Sequence, residues 1–144
     1  MVTHYFPEFF SLDELVPREH YLTLPHSELW WLLDARLLFS ADALRRLYGP
    51  MVCNDWHVGG GNEYRGWRPS DCPVGADRSD HKWGRALDLV PLRTSARAIR
   101  QDIRAGADER LMHAVQYITA IEAGVGWLHI SVRNVSPIQW IGRR

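Results

Sequence analysis

Asp88 lies in Arg85-Ala-Leu-Asp-Leu-Val90 and His129 in Trp127-Leu-His-Ile-Ser-Val-Arg133, two segments in which apolar and polar residues alternate. Side chains of a strand point alternately to opposite faces, so Leu87 and Leu89 share one side of the first segment while Ala86 and Asp88 share the other. In the second, Leu128, Ile130 and Val132 oppose Trp127, His129, Ser131 and Arg133. If the two strands pair, Asp88 and His129 converge on the polar side, and His81, one turn upstream in Ser79-Asp-His-Lys-Trp-Gly84, can join them. Alternation alone leaves two readings of such a histidine: a hydrogen-bonded core residue or a metal ligand. Two imidazoles and one carboxylate suit Zn2+, because three side-chain ligands leave a fourth tetrahedral position for water, as in catalytic sites. Gly84 permits a tight turn after His81, and the small Ala86 leaves room beside Asp88.

The elements that must hold these residues are legible in part. Ser11-Leu-Asp-Glu14 is a capping-box pattern that predicts a short helix from Ser11 to about Pro17. Apolar residues at helical spacing predict a helix from Ser27 to Phe39, and Ser40 is the expected cap of a second one ending at Gly49-Pro50. Met51 to Trp56 reads as a strand. The segment from His57 to Ser79 is dense in Gly, Pro, Asp and Arg and reads as a long loop, a kind of connection that is usually functional. Arg85 to Val90 reads as a strand, Thr94 to Ala105 and Asp108 to Ala114 as helices, and Tyr117 to Ala123 and Trp127 to Arg133 as strands. The expected fold is a single α+β domain over residues 1–144, with a helical front (1–50) and a motif-bearing part (51–134). It has a small antiparallel sheet carrying the metal site and helices packed on one side.

Composition sets limits on partners. The 144 residues carry 17 basic and 17 acidic side chains, so no global field draws the chain to nucleic acid or an anionic membrane. Arg93, Arg97, Arg100 and Arg104 align on one helix side and read as a solvated face. The longest apolar run in the first half, Leu29 to Leu33, is too short for a membrane span, and the N-terminus shows no secretory signal pattern. Cys53 and Cys72 are expected to remain reduced thiols.

Ser79-x-His81-x-x-Gly84-x-Ala86-x-Asp88, followed by Trp127-x-His129, resembles the zinc D-alanyl-D-alanine carboxypeptidase family. That family includes wall-lytic phage endopeptidases and shares its fold with the Hedgehog signalling domain. Asn54-x-Trp56 and the glycine-rich run leading to Arg65-Gly-Trp-Arg68 look like small phage-encoded members, and the resemblance covers residues 51–134. It implies His81, Asp88 and His129 as zinc ligands and hydrolysis of an amide in a peptidoglycan stem peptide. It also implies Arg68, or Arg65, as the cation that holds a substrate carboxylate, and Ser79 as a residue orienting a ligand. The chain departs from the family pattern at the catalytic carboxylate. The position three before the last ligand is Gly126, the position two before it is Trp127, and Ser131 stands where relatives often have Asp. Glu122 is the remaining candidate for the base. The resemblance implies a protein made in the cytoplasm and acting at the bacterial wall, either after release or as part of a virion beside other virion proteins. A second reading keeps the fold and the metal in a non-enzymatic binding module. An iron oxygenase, whose sites begin with His-x-Asp, fits poorly because six residues separate His81 from Asp88.

Overall fold

The computed structural model describes residues 4–134 and 138–142. Leu12–Glu14 forms a single 3-10 turn, in which the Ser11 amide donates to Glu14 Oε2 at 2.9 Å, as the capping box requires. The chain then enters α1 (Arg18–Thr23), a helix the sequence reading does not contain, with Pro17 at its N-cap. The predicted helix over 27–39 is two elements, α2 (His26–Trp31) and the start of α3 (Ala35–Tyr48). The cap at the break is Asp34, not Ser40: its carboxylate accepts from the Arg36 amide at 2.9 Å. Ser40 lies inside α3, where its hydroxyl donates back to the Arg36 carbonyl. Burial alone pushes the Asp34 carboxyl up, and hydrogen bonds from the Arg36 side chain and amide more than offset that, so its pKa is lowered. Asp34→Ala is expected to cost about 1 kcal/mol at neutral pH. Because the folded-state pKa is depressed, this contribution is complete above the ordinary carboxylate range and shrinks as pH falls below about 4. Urea titrations of the two proteins across that range check the convergence.

Five short strands follow: β1 (Met51–Val52), β2 (Ala86–Pro91), β3 (Ala120–Glu122), β4 (Leu128–Ser131) and β5 (Gln139–Ile141). They form one sheet in the order β1-β2-β4-β3-β5. The expected antiparallel sheet is mixed, because β5 lies parallel to β3, with Ile121 opposite Trp140. The predicted strand over 51–56 pairs for two residues only, after which Asn54 binds the chain with its side chain, accepting from the Arg65 amide and donating to the Val16 carbonyl. Beyond β1 the long loop takes over the edge of β2, since the Asp88 amide donates to the Arg65 carbonyl at 2.8 Å.

Strand alternation sorts the faces as the sequence predicts. Leu87, Leu89, Ile121, Leu128 and Ile130 are fully buried in a core with Leu37, Leu38 and Leu44 of α3, Leu111 of α5 (Glu109–Ala114), and Ile99 and Ile103 of α4 (Ala96–Ala105). The result is a small α+β domain with a five-stranded mixed sheet. The predicted solvated arginine face is corrected at Arg100, which is buried because its guanidinium donates to the carbonyls of Trp127 and Val125 at the β3–β4 turn. Cys53 and Cys72 are buried free thiols, and burial pushes the Cys53 thiol up. No helix among the described residues is long and apolar enough to cross a membrane.

Candidate metal centre

The register of β2 against β4 pairs Asp88 with His129 directly. Directly opposed residues of an antiparallel pair project to the same face, so the two side chains meet, with His129 Nδ1 2.7 Å from Asp88 Oδ1. His81 arrives from a 3-10 turn, Asp80–Trp83, that precedes β2 and puts its Nε2 3.4 Å from Asp88 Oδ2. All three offer one ligand atom within 4.8 Å of the others, and the residues are only 2, 8 and 7% exposed for His81, Asp88 and His129. Groups so placed are desolvated at the expense of stability unless they hold a proton or a cation between them.

Each ligand is aimed by a separate contact. His81 Nδ1 lies 2.8 Å from the Gly66 carbonyl, which can only accept, so Nδ1 carries a proton there and Nε2 is the nitrogen that faces Asp88. Gly66 must be glycine for this, because a Cβ there would fall 2.1 Å from the Leu15 carbonyl oxygen. Burial alone raises the pKa of Asp88. Hydrogen bonds from His129 and His81, with their charges, outweigh it and hold the carboxyl well below the usual carboxylate range. The carboxylate is therefore ionised and ready to ligate. Tetrahedral zinc with bonds near 2.0–2.1 Å spaces its ligand atoms about 3.3 Å apart, which the His81–Asp88 separation of 3.4 Å meets. The His129–Asp88 contact is shorter, at 2.7 Å, a hydrogen-bonding distance. The nitrogen, oxygen, nitrogen set fits a divalent cation of the zinc class.

The other expected site residues divide. Arg68 belongs to the centre: it is buried, its Nη2 is 3.4 Å from Asp88 Oδ2, and its Nε donates to the Tyr64 carbonyl. Arg65 does not join it by its side chain, which turns toward the Cys53 carbonyl and Asp55. Ser79 ends the loop before the His81 turn, its carbonyl accepting from the Lys82 amide, and its hydroxyl makes no hydrogen bond among the described residues. Ser131 contacts no ligand directly. Its hydroxyl donates to Asp80 Oδ2 at 3.0 Å, and Arg133 Nε donates to the same oxygen at 2.7 Å. Ser131 thus acts on the His81 turn through Asp80, which ties that turn to β4. Asp80 is absent from the sequence reading. Its signal was the shared polar face of His129, Ser131 and Arg133 beside an acid adjacent to His81.

Glu122 ends β3. The β3–β4 pairs Ala120–Ser131 and Ile121–Ile130 stop one residue short of it, and Glu122 is paired instead with Ile141 of β5. It stands outside the converged trio. No family model, curated protein or solved structure matches the chain, so the functional reading rests on the motif and on this geometry.

Proposed function

We propose that the protein is a zinc-dependent peptidase that hydrolyses an amide bond in peptidoglycan stem peptides, built on the Hedgehog/DD-peptidase-type fold. The observation that carries this reading is the buried trio His81, Asp88 and His129 with the Arg68 guanidinium against it. A zinc ion held by the trio supplies Lewis acidity toward an amide carbonyl and toward water. The chain's own residues provide the rest. Arg68, with Nε on the Tyr64 carbonyl and Nη2 beside Asp88, offers its remaining guanidinium N–H groups to a peptide carboxylate, and an amide beside that carboxylate is thereby placed over the trio. Glu122, at the end of β3, the strand next to the one that carries His129, is the general base that takes a proton from water and returns it to the leaving amine. The protein acts at the bacterial wall, after release or as part of a virion.

One observation favours a second reading, a metal-binding module without activity. Gly126 occupies the position where relatives carry a carboxylate, and Glu122 is not part of the trio. Incubating the zinc-loaded protein with purified sacculi and quantifying newly released amines separates the two. The peptidase reading expects release that falls at least 100-fold in Glu122→Gln while zinc affinity is unchanged. Amine release at the wild-type rate in Glu122→Gln would remove the base assignment, and no release from the wild type would leave the binding module.

A further inference from the structure

One side of α4 carries Arg97 and Arg104, both exposed, with Arg100 between them at 6% exposure. Across from them run the β3–β4 turn, Ala123–Gly126, and Trp140 of β5, and these residues together enclose a groove of about 730 Å³. Two of the three guanidiniums are held in place by the fold. Arg100 donates from Nη1 to Trp127 O and from Nη2 to Val125 O, each at 2.9 Å, and the Arg104 guanidinium stacks 4.0 Å from the centre of the Trp140 ring. Among the described residues no carboxylate lies within 4.0 Å of any of the three. Glu122 is the acidic group whose charge reaches Arg100.

Three like charges converging on one groove repel one another, and an anion placed among them relieves that repulsion. The turn adds main-chain surface free of side-chain cover, since a Cβ at Gly126 would meet nothing within 4 Å. Guanidiniums fixed before a ligand arrives lose little freedom on binding it. We propose that this groove binds a phosphate group, as a free or monoester phosphate or as a phosphodiester. Several oxygens at tetrahedral angles can each accept from a different arginine, whereas a single carboxylate offers one planar pair. A nucleic-acid strand is disfavoured: the chain has zero net charge, and Arg104 already covers the Trp140 face that a base would stack on. The site is independent of the metal centre and of the activity proposed for it.

The test is an NMR titration of the metal-stripped protein, kept in chelator, with inorganic phosphate and separately with dimethyl phosphate at constant ionic strength. Saturable shifts of the Gly124, Val125 and Gly126 amides and of the Trp140 indole are expected, with affinity at least tenfold weaker in Arg97→Gln/Arg104→Gln. Both substituted side chains are exposed, so the fold is retained, and circular dichroism with the single variants verifies it. Saturation by inorganic phosphate alone assigns a free or monoester phosphate, and saturation by both probes assigns a diester. Absence of saturation by either, equal affinity in the double variant, or tighter binding of glutarate than of phosphate would overturn the proposal. A single-stranded oligonucleotide binding more tightly than either probe, with a steeper salt dependence, would overturn it in favour of nucleic acid.

Discussion

Asp88→Ala is expected to lower affinity for Zn2+ by at least 100-fold and to abolish the rise in melting temperature that the metal produces in the wild type. Asp88 is the hub of the centre, since His129 reaches Oδ1 while His81 and Arg68 both reach Oδ2. Its removal takes away one of three candidate ligands and also the group that both histidines contact. A ligand stabilises the fold by RT ln(1 + [L]/Kd), so a 100-fold weaker site loses about 2.7 kcal/mol of metal-dependent stability under saturating conditions. Without metal the variant is also expected to be destabilised, by about 1–3 kcal/mol, because two buried imidazoles and a buried guanidinium lose their shared acceptor. Competition titration against a chromophoric chelator and thermal melts with and without Zn2+ measure both effects. Unchanged metal-dependent stabilisation in Asp88→Ala would place the ion elsewhere.

Gly84→Ala is expected to destabilise the protein by about 2–4 kcal/mol and to weaken metal binding together with stability. Gly84 has φ +67°, a left-handed conformation that L side chains rarely adopt, and a Cβ built on it would lie 1.5 Å from the Leu32 carbonyl oxygen. That neighbour is backbone, at the corner between α2 and α3, so relief requires the corner and the His81 turn to move apart. The same approach lets the Gly84 carbonyl accept from the Asp34 amide at 2.9 Å, which joins the cap of α3 to the entry of β2. Gly61→Ala is the control. A Cβ there meets nothing within 4 Å, and its expected effect is within about 0.5 kcal/mol. Denaturant midpoints and zinc affinities of the two variants check the contrast.

The trio and Gly84 were legible in the sequence because each depends on local rules. Period-two alternation fixes the face of Asp88 and His129, and a glycine three residues after a histidine marks the turn that returns it. What was not legible depends on partners remote in sequence. Arg100 has the spacing of its exposed neighbours, and only the carbonyls of Val125 and Trp127 distinguish it. β5 is three residues long, and its parallel pairing with β3 leaves no turn signal. The break between α2 and α3 was misplaced because Ser40 and Asp34 are both good caps, and the choice between them is made by the Gly84 carbonyl, which draws in the Asp34 amide. Glu122 could be named as a base only from the resemblance, as the carboxylate ahead of Trp127-x-His129, because strand alternation says nothing of how β3 pairs with β4.

Asp42, on α3, is fully buried, and its carboxylate accepts from the Tyr5 hydroxyl at 2.7 Å and from the Glu8 and Phe9 amides at 2.6 and 3.0 Å. Burial and this carboxylate push the Tyr5 hydroxyl up to about 12, so it stays a donor at any ordinary pH. Every donor recorded on the anion thus comes from the leading segment of the chain. Cutting the protein back past Phe9 would strip a buried carboxylate of these three donors. A shortened version made for expression would therefore be compromised from within, whereas an extension placed ahead of Tyr5 leaves the clasp intact.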